Sequence, residues 1–183
     1  MGMTVTAYSR MRFVHKEKNC KIKAHKHVKQ AQLDFYSGLP CAPQLNLLDG
    51  RPEGCYVLTP QGKSHAFSGS WSGHLNHRDL LCDIALGIQP NTVWENPVNF
   101  AGRPFVELID QRNSLIIGPE TCKKLLHDFD LLAPDAENQF HRALAKLNLS
   151  PRKQLMVYAW LQWFGNWHEA VKIASNEGFI FIS

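Results

Sequence analysis

Polar and apolar positions alternate in two stretches of this chain and recur at helical spacing in four others. Residues 3–8 are β-branched and alternating, which predicts a first strand. In Cys20–Lys29, Ile22, Ala24 and Val28 alternate with Lys21, Lys23, His25, His27 and Lys29. That is the period of a half-buried strand, with the cationic residues on one face at spacings of about 6–7 Å. Lys26 is its misfit on the inner face, as suits a sheet edge. Residues 38–54 carry three prolines and three glycines and no periodicity, so they read as a loop. Cys55–Thr59 and Lys63–Phe67 flank Pro60-Gln61-Gly62 and together predict a hairpin.

The next stretch holds most of the candidate chemistry. Phe67-Ser-Gly-Ser-Trp-Ser-Gly73 reads as a strand end and a small-residue turn, and a helix follows to about Gly87. Leu75, Leu81, Cys82, Ile84, Ala85, Leu86 and Ile88 supply its apolar side, with His74, His77, Arg78 and Asp79 in its first turns. Residues 89–103 are rich in Pro, Asn and Gly and read as a connection. Pro104–Ile109 and Ser114–Ile117 read as strands by composition. Gly118-Pro119-Glu120 opens a helix with apolar face Cys122, Leu125, Leu126, Phe129 and Leu132, stopped by Pro134. A short helix carries Phe140, Ala143, Leu144 and Leu147. The longest begins at Ser150-Pro151 and runs to about Asn176, with Met156, Trp160, Trp163, Trp167, Val171 and Ala174 on one core-facing stripe. Phe179–Ile182 closes the pattern as a strand.

These elements predict one α+β (mixed α/β) domain over residues 1–183. Its sheet of about five to seven short strands would be covered by three or four helices, the long C-terminal one lying across it. No apolar run approaches the roughly 18 residues of a membrane span. Met1-Gly-x-x-x-Thr6 fits the myristoylation template, but that template is short and tolerant, and a first strand is the preferred reading. Five singly spaced cysteines without a C-x-x-C pair or secretion signal point to reduced thiols and a cytoplasmic setting. Charge is uneven. Eight basic residues between Arg10 and Lys29 stand against Glu17 alone, a net +7, which leaves −3 for the rest of a +4 chain.

Candidate chemistry is incomplete everywhere. His25-x-His27 and His74-x-x-His77 are ligand-like pairs, but no carboxylate or cysteine stands at ligand spacing beside either, so no metal is assigned. Gly69-Ser-Trp-Ser-Gly73 has the outer glycines of a nucleophile elbow, yet Trp71 occupies the nucleophile's place. No catalytic residue and no cofactor is assigned. The remaining candidates are a contact or anion site at Ser70, Trp71, Ser72, Gly73, His77 and Arg78, and a basic face of Lys21, Lys23, His25, His27 and Lys29. Lysines along a strand could follow phosphates, although few aromatic residues are near enough to stack bases.

Three segments together resemble a family of small uncharacterised phage and prophage proteins. They are the start Met1-Gly-Met-Thr-Val-Thr-Ala-Tyr-Ser9, the turn Ser70-Trp-Ser-Gly73 followed by Arg78, and Pro104-Phe-Val-Glu-Leu-Ile109 with Ile117-Gly-Pro-Glu120. His74-Leu-Asn-His77 replaces the aromatic and polar residues usual after that turn. The resemblance implies a phage-associated protein of the host cytoplasm and carries no activity. The expected function is a non-enzymatic binding protein acting on a host macromolecule, inhibition of a host or defence system being one such role. A host protein is the expected partner, nucleic acid an option through residues 10–29, and a membrane is not expected. The alternative is a small enzyme or anion- or metal-binding protein that uses the Ser72–Arg78 helix start with nearby histidines, those of the basic strand among them.

Overall fold

The computed structural model describes residues 2–15, 32–35, 49–52, 54–110, 116–146 and 154–182. The strand expected at Cys20–Lys29, the first part of the 38–54 loop and the Ser150-Pro151 helix start lie outside the described residues. Order along the chain is β1 (Gly2–Tyr8), β2 (Met11–His15), β3 (Gln32–Phe35), β4 (Gly54–Leu58), β5 (Ser64–Ser70) and α1 (Trp71–Leu86). Then come α2 (Pro90–Glu95), a 3-10 turn (Pro97–Phe100), α3 (Val106–Ile109), β6 (Ile116–Ile117) and α4 (Pro119–Leu132). A second 3-10 turn (Ala133–Asp135), α5 (Ala136–Lys146), α6 (Gln154–Ala174) and β7 (Phe179–Ile182) complete the α+β fold.

The seven described strands form two antiparallel sheets, not one. The first has the order β5-β1-β7-β6 and the second β2-β4-β3. β1 explains the division. Met3, Val5 and Ala7 are fully buried while Thr4, Thr6 and Tyr8 are half-buried, so one face of the strand meets α6. Its partners are β5, from Gly2 opposite Ser70 to Tyr8 opposite Ser64, and β7, from Val5 opposite Ile182 to Tyr8 opposite Phe179. At Arg10 the backbone turns into the left-handed region (φ 50) and the chain leaves for the second sheet. The expected hairpin is thereby corrected. Both strands and their turn are present, but β4 pairs with β2 and β3 while β5 pairs with β1.

Two further expectations give way. Pro104–Ile109 is a tight helical turn instead of a strand. Phe105 is left-handed (φ 59), and its N–H donates to the buried Asp128 carboxylate at 2.9 Å. That carboxylate is held in turn by Lys124 at 2.8 Å, so a side-chain clamp fixes a bend that Val106 and Ile109 would not choose alone. Residues 90–95 and 97–100, expected as connection, are helical, with Pro90 and Pro97 at first helical positions where a missing N–H is harmless.

Strands β2 and β3 were not expected either, whereas along α4, α5 and α6 the pattern and the fold agree. On α6, Trp160, Phe164, Trp167, Val171 and Ala174 are buried and Trp163 is half-buried. α4 and α5 bury Leu125, Phe129, Phe140 and Ala143 beside them. Cys82 and Cys122 are buried free thiols. Burial, with Asp79 and Asp83 nearby, pushes Cys82 up to about 11, and burial also raises Cys122, so neither is a reactive thiolate.

Candidate functional site

The β5–α1 junction is built from four small residues, Gly69, Ser70, Ser72 and Gly73. Ser70 caps α1, its Oγ accepting from the Gly73 N–H at 3.0 Å and lying 3.1 Å from Ser72 Oγ. Such a cap satisfies a helix donor that would otherwise be orphaned. Gly69 has a different reason: a Cβ there would fall 2.2 Å from Trp163 Cζ2, so the absent side chain is what admits the indole of α6. Gly87, left-handed at φ 68, ends the helix with its N–H on the Asp83 carbonyl.

From this junction the first two turns of α1 face two ways. Ser70, Ser72, Asn76 and Asp79 are exposed, and so is Leu75 at 43%, although its apolar character predicted burial. His74, His77 and Arg78, expected on the polar side, are buried at 1%, 2% and 2% exposure. His74 meets the edge of Trp71 at 5.9 Å and tilts against Trp163 and Trp167 at 6.0 and 5.8 Å. His77 lies against Trp160 at 5.4 Å and stacks on Trp163 at 6.1 Å, while its carbonyl accepts from Trp160 Nε1 at 3.4 Å. All four imidazole nitrogens are buried without a hydrogen-bond partner among the described residues. Burial first and the Arg78 charge after it lower His74 to about 3. Burial first, then His74 and Arg78, lower His77 to about 3. Both rings are neutral at ordinary pH.

Arg78 turns the other way, its guanidinium 5.4 Å over the Trp94 ring, and Trp94 Nε1 donates to the Ile109 carbonyl at 2.8 Å. Arg78 therefore braces α2 and α3 against α1 instead of standing beside the helix start. Sequence spacing brought it near the serines, but the helical rotation takes it to a different face.

Between α1 and α6 the chain leaves a cleft of about 260 Å³. Ser70, Ser72, Gly73 and Asn76 form its rim, Leu80, Ala159, Trp160 and Trp163 its walls, and His77 borders it. Of the residues singled out by sequence, Ser70, Ser72, Gly73 and His77 meet here, whereas Trp71 and Arg78 do not line it. Asn76, Leu80 and Ala159 were not singled out, and Trp160 and Trp163 were read as part of a core-facing stripe. The available signal was Gly69 and Gly73, four residues apart, in the same chain as a tryptophan stripe that needs a flat surface to lie on. Every lining residue is uncharged, given neutral His77. Neither serine hydroxyl bonds to an imidazole, so no nucleophile–base pair is formed.

A second concavity, about 320 Å³, lies between the β1–β2 turn and the end of α6. Arg10, Lys63 and Lys172 line it with Glu169, and the three cations are exposed and without ion pairs among the described residues. Among the described residues no group of three or more His, Cys, Asp or Glu could hold a metal, and no helix is long and apolar enough to cross a membrane. Lys21, Lys23, His25, His27 and Lys29 lie outside the described residues. No family model, curated protein or solved structure matches this chain.

Proposed function

We propose that this chain is a non-catalytic binding protein that engages a protein partner through the cleft between α1 and α6. The uncharged, aromatic-walled character of that cleft is the observation that supports this reading most directly. Phosphate groups would gain little there, whereas indole walls beside small polar rims are a common composition for protein contacts. Half-buried Trp71 and exposed Leu75 extend the apolar area beyond the rim. The buried, neutral histidines are poor general bases, because a base must meet the proton it takes. The resemblance to phage and prophage proteins extends the reading to a host-cell protein as partner, and to inhibition of a host or defence system as the outcome.

The test is affinity capture from a bacterial lysate, with and without nuclease, by the wild-type chain and by Ser72→Arg and Leu75→Asp variants. Both positions are exposed, so the variants should keep their helicity and melting temperature. A protein captured by the wild type should be lost at least tenfold in each variant and be indifferent to nuclease. Equal recovery by all three chains would overturn the reading.

A second reading is favoured by a separate observation. The cations Arg10, Lys63 and Lys172, without ion pairs among the described residues, surround one concavity and suit a polyanion, and the basic segment of residues 10–29 begins at the same turn. Nuclease-sensitive capture that falls steeply with salt would support it.

A further inference from the structure

His74 and His77 are each buried to 2% exposure or less. No ring nitrogen of either has a hydrogen-bond partner among the described residues. Buried polar side chains normally do, and those that do not call for an explanation. Among the described residues their surroundings offer no compensation for a positive charge. Across the seam α6 presents Trp160, Trp163 and Trp167, while its His168 and Glu169 lie elsewhere, His168 2.8 Å from Asp130 and Glu169 on the second concavity. On α1 itself Arg78 is buried alongside, Asp79 is exposed, and Asp83 faces Lys146 of α5 at 3.5 Å. β5 contributes His65, which packs on Phe67 at 5.9 Å. From the other elements packed on α1, Glu95 of α2 and Glu137, His141 and Arg142 of α5 are exposed, Glu107 of α3 is paired with Lys124, and Asp110 after α3 is buried. None of these carboxylates bonds to either imidazole.

We propose that protonation of His74 and His77 releases the first two turns of α1 from α6, so that the cleft keeps its shape at neutral pH and is dismantled in acid. This is a statement about how the contact cleft is regulated, and its functional meaning rests on the reading of that cleft given above. Packed between indoles, the rings accept a proton only near pH 3. Released into water they would do so near the ordinary histidine value of about 6.5. The packed state is therefore fully favoured above about pH 6.5 and loses ground as pH falls towards 3. Between pH 7 and 5 each ring shifts the opening equilibrium about 25-fold, and the two together several hundredfold. The cleft goes with the seam, because Trp160, Trp163 and His77 belong to both.

Hydrogen exchange on the full chain at pH 7 and pH 5, corrected for the intrinsic rate, tests this. The opening of Trp71–Arg78 amides should rise several hundredfold, while Pro119–Leu132 of α4 changes little. A His74→Phe/His77→Phe double variant should abolish the difference. Uniform loss of protection, unchanged protection in α1, or the same acid response in the double variant would overturn the proposal. Should the double variant not fold, the ring resonances of the wild-type chain decide. Titration of both rings near 6.5 with α1 still protected would sink the proposal, and loss of α1 protection in step with ring protonation would sustain it. No partner enters these measurements. A seam that ignores acid leaves the docking surface standing, and capture that ignores the cleft variants leaves the acid response standing.

Discussion

Asp49 shows how much of this fold hangs on single side chains. It is left-handed (φ 56), and its carboxylate accepts from the N–H groups of Glu120 at 2.7 Å and Thr121 at 3.1 Å and from the Thr121 hydroxyl at 2.8 Å. A residue 71 positions upstream thus caps α4 and sets a negative charge at the positive end of its dipole. Asp49→Ala should lower stability by about 1–2 kcal/mol in a denaturant titration, and Asp49→Asn by less, since the amide oxygen can still accept. The start of α4 was legible in Gly118-Pro119-Glu120, but its cap was not, because local patterns carry no information about a donor's distant partner. The same limit governs His74, His77 and Arg78. Hydropathy reads them as surface, whereas tryptophan faces and a rotated guanidinium make them core, and Leu75 takes the exposed place.

At the scale of elements, the seam between β5, α1 and α6 depends on the fit of Trp163 over Gly69. Gly69→Ala would drive a methyl into the indole, since its Cβ would lie 2.2 Å from Cζ2. Overpacking of this kind costs about 1–3 kcal/mol. The expected outcome is a lower melting temperature together with weakened partner capture, because the displaced indole is a wall of the cleft. A melting temperature equal to wild type would show that the strand can shift to accept the methyl. Elements with strong periodicity were readable in advance: the first strand, α4, α5, the tryptophan stripe of α6 and the closing strand. Pro104–Ile109 was not, because its β-branched residues suit a strand while the Asp128–Phe105 clamp imposes a bend. The serines and glycines of the junction were read correctly as a helix start. The cleft behind them was not, for it exists only where α6 crosses.

For the molecule as a whole, the decisive joint lies where α6 turns into β7. Arg10 and Met11 donate their N–H groups to the carbonyls of Asn176 and Glu177, which fastens the start of the second sheet to the end of the longest helix. Glu177 takes the left-handed conformation (φ 54), and Gly178 passes so close to β1 that a Cβ would lie 1.7 Å from the Tyr8 carbonyl oxygen. Backbone on that side has no freedom to retreat. Gly178→Ala should therefore cost more than about 4 kcal/mol and leave little folded protein, read as loss of soluble yield and of cooperative unfolding. A cooperative transition within about 1 kcal/mol of wild type would contradict this. Alternation made the first strand readable but neither Met11–His15 and Gln32–Phe35 nor the split into two sheets, because alternation tells which face of a strand is buried and nothing of its neighbour.

The place of β7 has a further consequence for how the chain is made. Phe179–Ile182 runs between β1 and β6, so the last strand in sequence is an interior strand of the four-stranded sheet. During synthesis, β1 and β5 can pair as soon as both have left the ribosome, yet the inner edge of β1 stays unpaired for more than a hundred further residues. An unpaired strand edge is a template for association with other chains. The interval between emergence of β5 and emergence of β7 is thus when this protein is most exposed to misassembly, and slow translation of that stretch would lengthen the hazard.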